Sequence, residues 1–125
     1  EFPNFGFGVR ETLMADVSGD GRDELLIASE TGYVYVLDGS GNVLAKRDFG
    51  SVVADLCVLS VPKRTKPVIA LCCEDGQVYV MDGQGRLFGA ASTGASNRLV
   101  VSLPGHPSGA RILVATATDI VCLQL

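Results

Sequence analysis

The sequence predicts an all-β chain made of three successive copies of one small antiparallel sheet. Three observations carry that prediction. Short runs of Val, Ile, Leu and Tyr alternate with clusters of Gly, Asp and Asn along the whole chain, which is the pattern of short strands joined by tight turns. The stretch "GYVYVLDG" from Gly32 to Gly39 is matched by "GQVYVMDG" from Gly76 to Gly83, a spacing of 44 residues. A third, weaker match aligns "IVCL" from Ile120 to Leu123 with "YVYV" from Tyr33 to Val36, a spacing of 87 residues. The repeat is therefore present three times.

The elements follow in order. In the first unit strands are expected over 11–17, 24–29, 33–38 and 43–48, and the intervening "SGDGRD", "ETG" and "DGSGN" place glycine or asparagine where a turn needs positive φ. The second unit gives 52–59, 68–73, 77–82 and 86–91, and the third 98–103, 111–116 and 119–124. Four antiparallel strands in about 43 residues is the size of one β-propeller blade. The expected organisation is a single propeller segment: residues 9–50 form blade one, 51–94 blade two, and 95–125 a third blade that lacks its outer strand.

Upstream of blade one lies an orphan, "PNFGFG", whose Phe7-Gly8 is similar to Phe49-Gly50 and Thr93-Gly94 at the ends of the first two blades. Residues 1–8 are thus expected to be the missing strand, placed at the front. Three blades cannot close a ring, since propellers take about four to eight, and an open stack would leave apolar blade faces in water. Head-to-tail self-assembly solves both problems: residues 1–8 of each chain complete the last blade of its neighbour, and the ring closes if the rotation permits. A dimer gives six blades and a trimer nine; six is favoured because nine would be an unusually large ring. A segment cut from a longer propeller would share the same pattern.

Composition sets further bounds. Hydrophobic residues make up 47% of the 125, enough for a packed core, and with five Phe, three Tyr and no Trp that core is aliphatic. A formal net charge of −4 argues against nucleic acid as a partner, and no apolar run reaches the roughly 18 residues of a membrane span. Cys57, Cys72, Cys73 and Cys122 show no CxxC spacing, and His106 is the only histidine. A zinc site is therefore disfavoured. The adjacent Cys72 and Cys73 should point to opposite faces of one strand, as small buried apolar residues rather than a disulfide pair.

One stretch has the chemistry of a ligand site. "DVSGDGRDE" (16–24) joins the first two strands of blade one. A hard cation such as calcium takes six to eight oxygens, and this loop offers the side chains of Asp16, Ser18, Asp20 and Glu24 and the backbone carbonyl of Arg22. A polar turn that needs no ion would use the same residue types. Blade two replaces the loop with "ADLCVLSVPKRTKP" and blade three with "VSLPGHPSGAR", so not every blade needs it. No flanking helix and no Glu at the twelfth position (Ile27) disfavour an EF-hand.

The run "ADVSGDGRDELLIA" resembles the FG-GAP/VCBS-type propeller repeats with their integrin-like calcium loop. Ser18 departs from that family's usual Asp or Asn, which removes one strong ligand. The resemblance implies a calcium-stabilised, non-enzymatic scaffold that presents loops to a protein or carbohydrate ligand. "GYVYVLDGSGNVL" is also similar to quinoprotein-type repeats, yet the recurring tryptophans of that family are missing, so a quinone is not implied. The alternative from another class is a fragment of a propeller enzyme, of polysaccharide lyase or quinoprotein type.

Other candidates carry less. His106 sits between Pro104 and Pro107 with Ser108 too close in sequence for a triad. "GASNRL" and "GSGN" lack a Walker lysine. Tyr33, Tyr35 and Tyr79 fit blade-to-blade packing, and the bracketed basic loop from Pro62 to Pro67 is either a solvated insertion or a contact for an acidic surface. Calcium and the resemblance favour a location outside the cytoplasm, whereas unpaired cysteines favour a reducing interior.

Overall fold

The computed structural model describes residues 8–62, 64–103 and 109–125. Within them the chain forms three antiparallel sheets. Blade one comprises β1 (Val9–Ala15), β2 (Glu24–Ser29), β3 (Tyr33–Leu37) and β4 (Val43–Asp48). Blade two comprises β5 (Val53–Leu59), β6 (Val68–Cys73), β7 (Gln77–Met81) and β8 (Leu87–Ser92). Blade three holds β9 (Asn97–Leu103), β10 (Arg111–Thr116) and β11 (Ile120–Gln124). Each sheet is a simple meander in chain order, and the third has three strands among the described residues.

The first strand starts and stops two residues earlier than the hydrophobic pattern predicts. The chain has already turned at Ala15, whose carbonyl accepts from Val17 N–H at 3.1 Å. Val17 read as strand because it is apolar, but it is buried as a plug beneath the next blade. The turn at Gly83 of blade two passes so close that an added Cβ would lie 2.7 Å from the Val17 carbonyl. Only glycine fits there.

Alternation along the strands supplies two apolar faces per blade. Leu26, Ala28, Val34 and Val36 of blade one pack against Ile69, Leu71, Cys73 and Met81 of blade two. Val68, Ala70, Cys72, Val78 and Val80 on the other face of blade two pack against Val100, Ile112 and Val114 of blade three. We call the face toward the following blade trailing and the opposite one leading. Each fully buried Leu, Ile or Val contributes about 1.5–3 kcal/mol relative to exposure, so the stack is held by side chains between sheets. Cys72 and Cys73 do face opposite ways, one into each core.

All three blades share one irregularity. The first strand bulges at Arg10, at Ala54 and at Arg98, between the paired residues on either side. These three positions are therefore equivalent.

Two sequence alignments need correction. Ala28 pairs with Val34 and Cys72 with Val78, but Ala115 pairs with Ile120, so the last hairpin is one residue shorter. Ile120 matches Val34, not Tyr33. At the other end, the Gly8 carbonyl accepts from Glu30 N–H at 3.0 Å, as Val52 does from Glu74 at 2.9 Å and Ser96 from Ala117 at 2.8 Å. Gly8 thus corresponds to Val52 and Ser96. Counting back three residues, the partners of Phe49-Gly50 and Thr93-Gly94 are Phe5-Gly6, not Phe7-Gly8. Residues 1–7 themselves lie outside the described residues, as do Lys63, His106 and Ser108.

Candidate functional site

The acidic loop between β1 and β2 closes on its own carboxylates. Asp16 Oδ1 accepts from Gly19 N–H at 2.8 Å and Asp20 N–H at 3.2 Å, and Oδ2 from Gly21 N–H at 2.8 Å. Gly21 holds φ at 84°, a conformation that side chains with a Cβ rarely adopt. Glu24 is 2% exposed, and its Oε1 accepts from both Val17 and Ser18 N–H at 2.9 Å. The Ser18 hydroxyl lies 3.3 Å from Asp16 Oδ1 and from Glu24 Oε2. Two backbone donors compensate the burial of Glu24, as a desolvated carboxylate requires.

Three of the sequence-predicted ligands are brought together: one carboxylate oxygen each from Asp16, Asp20 and Glu24 lies within 4.8 Å of the others. Ser18 joins them through its hydroxyl. Arg22 is exposed and donates its N–H to Asp20 Oδ1 at 2.9 Å. That bond, followed by the Ser18 hydroxyl, holds the Asp20 carboxyl below the usual aspartate range. Three carboxylates and one hydroxyl form an oxygen set of the kind hard cations take, short of six to eight without carbonyl or water oxygens. The same carboxylates also satisfy the loop's backbone.

The basic segment of blade two sits beside this loop. The Lys66 stem passes Gly19, with Cγ 3.2 Å from where a Cβ would stand, so adjacent blades place opposite charges on one rim. Arg64 lies over the Phe88 ring, 3.8 Å from its centroid. Both line a cavity of about 370 Å³ between β8 and the edge of β11, with Val78, Ile112 and Leu123. Blades one and two carry a fourth strand beside their third; here that strand is lacking among the described residues. The repeat register located this edge, but sequence alone did not show the cavity.

Polar links across the blade junctions were also missed. Asp55 Oδ2 accepts from Val100 N–H of the next blade at 3.0 Å. Burial, and to a smaller degree the nearby Glu11, push its carboxyl up. Arg10 pairs with Glu74 at 3.2 Å between blades one and two. The only available signal was positional, since Glu11 and Asp55 stand 44 residues apart. Tyr79 packs against Phe49 across the same junction, with centroids 4.8 Å apart, as blade packing predicts. Tyr33 and Tyr35 lie together with Lys46 over both rings.

The outer faces of the stack differ. On the leading face of blade one, Ile27, Tyr35 and Leu37 form a buried cluster. On the trailing face of blade three, Leu99, Val101 and Ile120 are 45%, 43% and 69% exposed, on the same side as Leu113, Ala115 and Cys122.

Stacked meanders packed face to face, with their first strands side by side, define a β-propeller segment. Residues 4–98 match the Lambda-carrageenase beta-propeller domain, and the chain belongs to that family. No curated protein matches the chain. Among solved structures, the computationally designed Ika4 protein is similar at TM-score 0.72 and 15% identity, with 94% of this chain and 66% of that one covered. BBS1N in complex with ARL6DN is similar at TM-score 0.76 and 9% identity, covering 94% and 33%. The Dos1 propeller is similar at TM-score 0.68 and 14% identity, covering 94% and 33%. This chain spans 66% of the Ika4 chain and about a third of the other two.

Proposed function

We propose that the chain is a non-enzymatic propeller scaffold that assembles head to tail into a closed ring, with two copies giving six blades. The observation that carries this reading is the trailing face of blade three. Its positions match those through which blade two buries Ala70, Cys72, Val78 and Val80 against the next blade. Here Leu113, Ala115, Ile120 and Cys122 take those places, and Ile120 and Cys122 are exposed. A face with the composition of an internal junction calls for another blade. The leading face of blade one has Leu25, Ile27, Tyr35 and Leu37 where blade two has Ile69, Leu71, Tyr79 and Met81, so it matches in composition; Ile27, Tyr35 and Leu37 are already buried in the single chain and would have to be uncovered for another blade to dock. The segment ahead of β1, which lies outside the described residues but for Gly8, would in this reading supply the fourth strand beside β11 of the neighbouring copy.

The loop of Asp16, Ser18, Asp20, Arg22 and Glu24 is, in this reading, a calcium site of FG-GAP/VCBS type that ties β1 to β2. The rim beside it would present loops to a protein or carbohydrate ligand; BBS1N, a structural neighbour, is itself in complex with ARL6DN. Molar mass by light scattering, with calcium and then with chelator, tests the assembly. Two chains per particle supports the six-bladed ring and three the nine-bladed one; a monomer at tens of micromolar sinks the self-assembly.

The family match favours a second reading, in which this is a propeller segment of a larger carrageenase. Co-sedimentation with carrageenan and measurement of released reducing ends test it: binding without cleavage fits a scaffold within such an enzyme, and cleavage by this chain alone would overturn the non-enzymatic reading.

A further inference from the structure

The bulge that recurs in each blade places one side chain at each junction. Arg10, at the bulge of blade one, pairs with Glu74 in the β6–β7 turn of blade two at 3.2 Å. The backbone fixes which residues are equivalent to these. Glu30, Glu74 and Ala117 each donate their N–H to the residue that leads into their own blade's first strand, namely Gly8, Val52 and Ser96. Arg10, Ala54 and Arg98 each occupy the bulge. The junction from blade one to blade two therefore joins Arg10 to Glu74, and at that from blade two to blade three the equivalent positions are Ala54 and Ala117, with no charge on either.

This leaves one arginine and one glutamate at matching positions on the two outer faces. Arg98 is exposed at the trailing side of blade three, and Glu30 is exposed at the leading side of blade one. Neither forms an ion pair among the described residues. Opposite signs thus stand on the two positions that would meet if the stack continued into another copy.

We propose that Arg98 of one copy pairs with Glu30 of a second copy, repeating between chains the ion pair that Arg10 and Glu74 form within one. The proposal rests on the head-to-tail reading and names its polar contact. The apolar faces supply the affinity. The charge pair supplies polarity, because a trailing face meeting another trailing face would set arginine near arginine, and like charges suppress wrong partners.

Charge reversal in the full chain tests the pair. R98E and E30R are each expected to weaken assembly about tenfold or more at low ionic strength, and the double variant R98E/E30R to recover most of the loss. Sedimentation equilibrium reads all four proteins, with far-ultraviolet circular dichroism to show that each is folded. Arg98→Ala and Glu30→Ala replace any reversal that fails to fold, and a coupling between these two neutral changes is then the expected result. Wild-type chains that stay monomeric would sink the ring and the pair together. Wild-type chains that assemble, with variants that assemble equally well, would overturn the pair and leave the ring standing. Single variants that weaken assembly without recovery in the double would overturn the pairing as well.

Discussion

Phe49, just past the last strand of blade one, packs its ring against Tyr79 on the third strand of blade two, with centroids 4.8 Å apart and planes tilted by 41°. Its N–H reaches back to the Gly32 carbonyl at 2.8 Å. The backbone therefore stays with its own blade while the side chain enters the next junction. Phe49→Ala would leave a cavity between two rigid sheets and is expected to cost about 3–5 kcal/mol, read as a lowered midpoint in urea unfolding. A loss under about 1 kcal/mol would mean that the junction collapses around the gap.

Asp20 is the exposed one of the three clustered carboxylates, so its loss should not damage the core. With calcium present, Asp20→Ala is expected to lower Tm by a few degrees, because ligation stabilises by RT ln(1 + [L]/Kd). In chelator the wild type and the variant should melt together. Equal losses in both buffers would assign the carboxylate to the turn alone, through its bond to Arg22.

Asp82 anchors the β7–β8 turn, accepting from Gln84 N–H and Arg86 N–H at 2.9 Å each and from Arg86 Nε at 2.8 Å. Burial pushes its carboxyl up, but the hydrogen bonds from Arg86 and Gln84 outweigh this and hold it below the usual aspartate range. A lowered folded-state pKa contributes stability that is present above the unfolded value near 3.8 and lost as pH falls through the folded value. Asp82→Ala is expected to cost about 1–3 kcal/mol at neutral pH, and the gap to wild type should narrow in acid. A gap that stays constant down to pH 2 would contradict the ionised anchor.

Asp55 behaves in the opposite sense. Its carboxyl is raised, so its charge opposes folding above the folded value, and that penalty disappears below the unfolded value near 3.8. Asp55→Asn keeps an acceptor for Val100 N–H and removes the repulsion from Glu11. A Tm higher by a degree or so at pH 7, with no gain near pH 3, is the expected result; a lower Tm at pH 7 would show that the hydrogen bond needs the full charge.

Thiol labelling reports on both the core and the assembly. Burial pushes the thiols of Cys57, Cys72 and Cys73 up to about 12; Cys72 and Cys73 are fully buried and should label only on unfolding, and the half-buried Cys57 only slowly before it. Cys122 is exposed on the trailing face of blade three. It is expected to label quickly in dilute protein and to become protected as concentration rises. Labelling that is independent of concentration would argue against burial of that face.

The strands and their order were legible in the sequence because a two-residue alternation and a repeat of 44 are local or nearly local signals. "GYVYVLDG" and "GQVYVMDG" share one conformation since each sets Val, Tyr and Leu or Met on the two faces of one strand and ends in the same Asp-Gly turn. The composition of the acidic loop was legible for the same reason. Tertiary structure decided the matters of register and proximity. Val17 left its strand because Gly83, 66 residues away, gave it a pocket. Ile120 moved by one position because the hairpin before it has one residue fewer. The equivalence of Gly8 with Val52, and hence of Glu30 with Glu74, came from one backbone hydrogen bond per blade. The sequence by itself determined which residues could form a blade face. Which face meets which, and which charges stand opposite each other, depended on how the sheets twist and stack, and no local pattern encodes that.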